Sequence, residues 1–212
     1  MEKNVTDYDN EITTISLSLL LELMMVLKGY SNDMVLVGGW VPFFLLKKHN
    51  TDPSFQHVGS VDIDLVLDPE LITQGRYDSI VEILIKNGYS PRKDRLGNII
   101  EFSFEKTIQD RTIHVDFLST IYPDRPERRH RIVQPDLQAR TLKGARIVLT
   151  HFYLDKIDGT LPNKAEVEVE CKIANLVGSL VTKAIAIGDR TDPKDYYDIY
   201  SLISYYKNGT SS

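Results

Sequence analysis

Three aspartates sit where a folded chain ordinarily places apolar residues. In residues 61–67 (VDIDLVL) Asp62 and Asp64 alternate with Ile63 and Leu65, and in residues 112–118 (TIHVDFL) Asp116 stands among Val115, Phe117 and Leu118. Both runs have the two-residue period of a strand. Residues i and i+2 of a strand project from one face, so the first two carboxylates lie several ångströms apart and repel. Aspartate is also a poor strand former. A divalent cation removes the repulsion by taking both groups as oxygen ligands; a solvated strand face is the plainer alternative. A third carboxylate on a neighbouring strand completes an oxygen-rich pocket suited to Mg²⁺ or Mn²⁺, often held as a pair of ions about 4 Å apart.

Gly38-Gly39 separates a short apolar run, 33–37, from an apolar helix, 40–48. Without side chains, that turn lets backbone N–H groups approach a ligand, and the helix N-terminus that follows favours a phosphate. A simple strand-to-helix turn explains the pair if it stands alone. Beside three aspartates it reads as the seat of a triphosphate. The chemistry would then be metal-assisted transfer to a hydroxyl that one carboxylate helps to activate, with pyrophosphate leaving.

Two further groups lie near the C-terminus. Lys183 interrupts an apolar helix (SLVTKAIAI), either as a snorkelling side chain or as a placed charge. Asp195 and Asp198 share one face of the last helix in its first turn, where the helix dipole alone already favours carboxylates. Between the two groups of motifs, residues 122–146 hold six Arg and one Lys against three acids, a surplus of four positive charges on a chain whose net charge is −5. Arg125, Arg128, Arg129 and Arg131 are its candidate RNA contacts, set against a solvated loop.

These groups need a frame, and the periodicities supply one. Helices are expected over 11–27, 40–48, 76–87, 173–187 and 194–206. The last of these should bury Ile199, Leu202, Ile203 and Tyr206. Strands are expected over 33–37, 61–67, 89–93, 99–104, 112–118, 146–149 and 166–171. Residues 49–60 and 122–146 read as irregular connections. The order implies an α/β or α+β fold, a mixed sheet with flanking helices and a helical end. A core over 1–150 and a C-terminal region over 151–212 are divided by only a weak boundary. One cysteine, Cys171, excludes an internal disulfide and a cysteine-rich zinc site. The polar, acidic first eleven residues do not resemble a secretory signal. The apolar run 15–27, broken by Glu22, is too short to span a bilayer. A cytoplasmic protein is expected, with no membrane partner.

The series Gly38-Gly39, Asp62-Ile63-Asp64 and Asp116 resembles the nucleotidyltransferase superfamily pattern of DNA polymerase beta. Residues 179–184 (SLVTKA) and 194–199 (KDYYDI) are similar to the third and fourth motifs of the AbiEii/AbiGii toxin family, and the resemblance runs over about 35–202. It implies an NTP- and Mg²⁺-dependent enzyme in which Asp62, Asp64 and Asp116 hold metal and catalyse. Gly38, Gly39, Lys183, Asp195 and Asp198 would bind the nucleotide, with Lys183 on the phosphates. It further implies transfer of an NMP to an acceptor such as a tRNA 3′ end, in a toxin with a cognate antitoxin. A non-catalytic nucleotide- or RNA-binding module of the same fold, a transferase acting on a protein or small-molecule hydroxyl, and a metal-dependent nuclease are the competing readings.

Overall fold

The computed structural model describes residues 10–72, 78–207 and 209. Helix α1 (Asn10–Val26) leads through a 3₁₀ turn into strand β1 (Met34–Val37), helix α2 (Trp40–His49) and strand β2 (Ile63–Leu67). Helix α3 (Ile80–Lys86) precedes strands β3 (Ser90–Lys93), β4 (Ile99–Ile108) and β5 (Arg111–Ser119). A hairpin of β6 (His130–Gln134) and β7 (Leu137–Thr141) and a helical turn α4 (Ala145–Val148) follow. The second half closes with the hairpin β8 (Phe152–Thr160) and β9 (Glu166–Ala174), then helices α5 (Leu176–Asp189) and α6 (Pro193–Tyr205).

These strands make one mixed sheet in the order β3-β4-β5-β2-β1-β9-β8, with β7 joined to β5 and β6 outside it. The architecture is the expected α/β arrangement of a mixed sheet with flanking helices. All of β1 is buried, as is usual for a strand covered on both faces. In β2 and β5, Ile63, Leu65, Val115 and Phe117 face away from the aspartates into the core, each fully buried. Helix α1 contributes Leu19, Leu20, Leu21 and Leu23 to that core and packs on β5, β8 and β9. Its half-buried Glu22 pairs with Lys106 of β4 at 2.6 Å, which explains a charge inside so apolar a helix.

The expected connection at 49–60 begins on the last residue of α2 and over 50–60 has no helix or strand, but it is tied down. Asn50 donates to the carbonyls of Asp52 and Phe55, and Phe55 stacks on Tyr205 of α6 at 3.8 Å between ring centroids. Thr13 and Ser16 of α1 donate to the carbonyls of Val58 and Val61. The loop therefore delivers Ser60 and Asp62 to the start of β2 at a defined place.

Four expectations need correction. Residues 122–146 are not irregular throughout, because β6 and β7 pair antiparallel within them, burying Val133, Leu137 and Ala139. Residues 145–148 are a helical turn rather than a strand, since Gly144 at φ +86° reverses the chain immediately before them. Strand β8, unseen in the sequence, pairs with β9 along its whole length. Helix α6 buries Lys194, Asp195, Asp198, Ser201 and Leu202, whereas Ile203 is exposed. The expected start of the third helix, at residue 76, lies outside the described residues.

The β6–β7 hairpin reaches the sheet through only two residue pairs, Leu118 with Arg140 and Ser119 with Thr141. A second attachment holds it. Buried Gln134 accepts from the Ile80 N–H at the start of α3 (2.9 Å) and donates to the Tyr30 hydroxyl (2.8 Å). Gln134→Ala takes the acceptor from the Ile80 N–H in the interior and removes one contact of the Tyr30 hydroxyl, which keeps its bond to the Asp78 carbonyl. It should cost about 1–3 kcal/mol in urea unfolding, and an unchanged midpoint would show that the latch is dispensable.

Candidate active site

Strand register brings the aspartates together. Strand β2 runs parallel to β5 with Asp64 directly opposite Asp116, and Asp62 lies two residues before Asp64 on the same face. They line an open cleft of about 920 Å³ together with Gly38, Gly39 and Lys183. The carboxylates crowd one another. Burial, then the charges of Asp116 and Asp62, push the Asp64 carboxyl up to about 7. Asp116 and Asp62 also have local partners. Asp116 Oδ1 accepts from the fully buried Ser103 hydroxyl, which the β4–β5 register sets opposite it (2.5 Å). Asp62 Oδ1 lies 3.3 Å from His114 Nδ1. Among the described residues, no three His, Cys, Asp or Glu side chains already close around one point. The donors are nonetheless all oxygen and mutually repelling, which is the chemistry a hard divalent cation satisfies.

The diglycine turn is built around these groups. Gly38 has φ +73°, and a Cβ there would overlap Asp64 Oδ2. Gly39 caps α2, and a Cβ on it would lie 2.8 Å from Ser60 Oγ and 3.6 Å from Lys194 Nζ. Side chains are excluded at both positions by the site itself. The space in front of the α2 N-terminus is consequently bordered by carboxylates on one side and by an ammonium on the other.

Helices α5 and α6 meet through a buried charge cluster. Lys183 Nζ lies 2.9 Å from Asp195 Oδ1 and 2.6 Å from Asp198 Oδ2. Lys194 Nζ and His57 Nε2 (3.0 Å) both meet Asp198 Oδ1, and Arg190 reaches Asp195 Oδ2 at 2.8 Å. Burial opposes ionisation of Asp198, but Lys183, the His57 hydrogen bond and Lys194 hold its carboxyl well below the usual carboxylate range. Burial likewise works against the Lys183 charge, and Asp198 and Asp195 more than offset it. His57 accepts the Gly59 N–H on Nδ1 at 3.1 Å, so its proton is on Nε2 and is donated to Asp198. Burial pushes this imidazole down to about 4, which keeps it neutral.

Asp195 lines the cleft, while Asp198 sits behind the lysines, fully buried. Of the four arginines singled out, Arg128 and Arg129 line the cleft. Arg131 instead donates to Thr120 Oγ1 at 2.6 Å and lies over the Tyr122 ring, and Arg125 is exposed outside the cleft lining. Arg92 and Arg140, not singled out, join Arg128 and Arg129 on the wall beyond Asp116. Ser60, Ser103, His57, Arg190 and Lys194 were also missed. Lys194 alone had a local signal, since it opens the K-D-x-x-D run.

The comparison with known families decides the lineage. A family model described as "Nucleotidyl transferase AbiEii toxin, Type IV TA system" matches residues 19–211. The chain belongs to this AbiEii nucleotidyltransferase toxin family. No curated protein matches it. Family membership supports a toxin nucleotidyltransferase with a cognate antitoxin. No helix among the described residues is long and apolar enough to cross a membrane.

Two outcomes follow from the electrostatics. Lys183→Met leaves two buried carboxylates short of a cation, so it should cost about 3–5 kcal/mol. Chemical denaturation would read this directly, and a variant as stable as wild type would contradict the bracing role.

Asp64 carries the opposite sign. Its folded carboxyl is raised above the ordinary 3.8, so stability present at low pH is lost as pH rises through about 7. The offset sets a ceiling of about 4 kcal/mol, of which side-chain relaxation should leave about 1–2 kcal/mol. Asp64→Asn should therefore match wild type in thermal melts near pH 4 and exceed its Tm by about 3–8 °C at pH 8 without added metal. Equal melting temperatures at both pH values would remove the crowding argument.

Proposed function

We propose that this chain transfers a nucleoside monophosphate from an NTP to the 3′ end of an RNA, a tRNA among the candidate acceptors, as a cytoplasmic toxin. The observation that carries the reading is the juxtaposition of the diglycine turn with the paired Asp64 and Asp116, which puts an anion seat against a carboxylate cluster. Asp62, Asp64 and Asp116 would hold Mg²⁺ or Mn²⁺. Bound there, the cation would offset their charge and polarise the phosphoryl oxygens.

The remaining roles belong to the chain itself. The Gly38-Gly39 backbone and the α2 N-terminus receive the phosphates, with the Lys183–Asp195–Asp198 cluster setting the cationic side of the seat. Ser103 occupies Asp116 Oδ1, leaving Oδ2 for the proton of the acceptor hydroxyl. The acceptor oxygen bonds to the α-phosphorus as the bond to the bridging oxygen of the β-phosphate breaks, and pyrophosphate leaves. Arg92, Arg128, Arg129 and Arg140 form the opposite wall, where a polyanionic acceptor would lie.

Incubation with total RNA, Mg²⁺ and each α-labelled NTP in turn tests the reading. Wild type should label RNA with at least one nucleotide. Asp116→Asn should lower transfer by at least about 100-fold while sparing most NTP binding, and Asp64→Asn should damage both. No labelled RNA with any of the four NTPs would sink the proposal.

A further inference from the structure

The sheet has edges at β3, β6 and β8, and the first two are blunted. Strand β3 is four residues long, with Pro91 inside it and a register shift between Pro91 and Lys93. Strand β6 has a register shift between Ile132 and Gln134. Such irregularities discourage a further strand from adding. Strand β8 has neither. Its nine residues contain no proline and run in unbroken register with β9. Among the described residues, nothing bonds to the outward row of N–H and C=O groups along 152–160.

The charges along this edge are unevenly answered. Lys156, Asp158 and Thr160 lie on the exposed face of the β8–β9 hairpin, opposite Glu170, Glu168 and Glu166. Asp158 therefore meets a like charge across the pair, which is unfavourable. Lys156 pairs with Glu168 at 2.6 Å and stands near enough to Glu170 and Asp158 to feel both charges. Thr160 donates to Glu166 (2.7 Å), while Lys172 is committed to the Asn32 carbonyl (2.6 Å) and the Phe152 ring. Among the described residues, Asp158 has no ion pair.

A second β8 laid antiparallel along the edge completes this pattern. A two-fold axis perpendicular to the sheet keeps the exposed face on one side and passes through a residue of β8. Through Asp155, Lys156 or Asp158 it would set that charge against itself. Through Ile157 it sets Lys156 opposite Asp158 of the copy and Asp158 opposite Lys156 of the copy. Leu154, 57% exposed, then meets Thr160, so residues 154–160 all find partners. An axis through Leu154 would pair only 152–156 and match no charges.

We propose that β8 pairs with β8 of a second copy of this chain, antiparallel about Ile157, joining two sheets into one. No residue of β8 lines the cleft, so the proposal does not depend on the chemistry assigned there.

Sedimentation velocity over a dilution series should show wild type passing from monomer to dimer. Lys156→Glu and Asp158→Lys each place like charges opposite one another on both sides of the axis. Each should weaken self-association about 10–100-fold. Asp158→Lys also removes the repulsion from Glu168, so its thermal melt should be no lower than that of wild type while its dimer is lost. An equimolar mixture of the two variants restores unlike pairs at both positions and should dimerise as wild type does. Leu154→Cys mixed with Thr160→Cys should cross-link under mild oxidation, and neither should do so alone, because only positions 154 and 160 meet in this register. The native Cys171 is buried. If Lys156→Glu fails to fold, Asp158→Lys and the cysteine pair carry the test. A wild type that stays monomeric at every concentration overturns the second-copy assignment and leaves the edge to a strand of another protein. Dimers that persist in the folded charge variants, a mixture of folded variants that stays monomeric, or a cross-link in either cysteine variant alone overturns the pairing about Ile157.

Discussion

Holding three carboxylates together beside a diglycine turn is the constraint around which the rest of the chain is arranged. Like charges at this spacing resist ionising together, and Asp64, pushed up to about 7, records that resistance. No local propensity would assemble such a group. It exists because β2 is pinned on both sides, antiparallel to β1 and parallel to β5, in a register set by the alternation of Ile63, Leu65, Val115 and Phe117. A one-residue slip would turn every aspartate into the core. The apolar face therefore fixes the polar one, and the loss of stability on the cleft side is the usual trade where a site is kept for function.

The second unusual feature has the same logic with both signs present. Helix α6 buries its charged side against α5, and Lys183 answers from the facing helix. Such a cluster gains less than an apolar seam of the same size would, because its desolvation is large. What it does supply is a fixed position. Two lysines, an arginine and a histidine share four carboxylate oxygens, so none can swing without breaking another contact. Loop 50–60 enters through His57 and Phe55, and the same loop ends at Ser60 and Asp62. The cationic and anionic halves of the cleft are thus tied by one stretch of chain rather than by the sheet alone.

Much of this was legible in the residues, and the unread parts share a physical cause. Strands β2 and β5, the diglycine turn, Lys183 and the Asp195/Asp198 pair are local patterns, visible because each breaks the periodicity around it. Ser103 carries no such mark. Its role comes from lying opposite Asp116 across β4 and β5, which only strand pairing decides. Strand β6 was hidden because His130-Arg131-Ile132-Val133-Gln134 buries Val133 and Gln134 but exposes Ile132, contrary to its apparent hydrophobic content. Strand β8 was hidden by Asp155, Lys156, Asp158 and Gly159. The face of α6 was misread for a sharper reason. Hydrophobic periodicity assumes that the buried stripe is apolar, and here it begins with Lys194, Asp195 and Asp198.

On the proposed reading, the distribution of anchoring across the cleft would also separate two tasks. The seat at Gly38-Gly39 is walled by central strands and by helices that pack on one another, α2 on α6 and α5 on α6. The arginine wall opposite rests largely on the approach to and return from the β6–β7 hairpin, which meets the sheet through two residue pairs and is latched by Gln134. Few ladder bonds and exposed arginines place that wall at the lower end of local stability. A triphosphate has one size and one charge pattern, and a fixed seat suits it. An acceptor held through its phosphate backbone would be a longer and more variable partner, to which the exposed Arg128 and Arg129 could adapt at small cost. The carboxylates lie between the two, on the strands least able to move. The reacting atoms would therefore be aligned from the rigid side, with the more weakly anchored wall accommodating the rest.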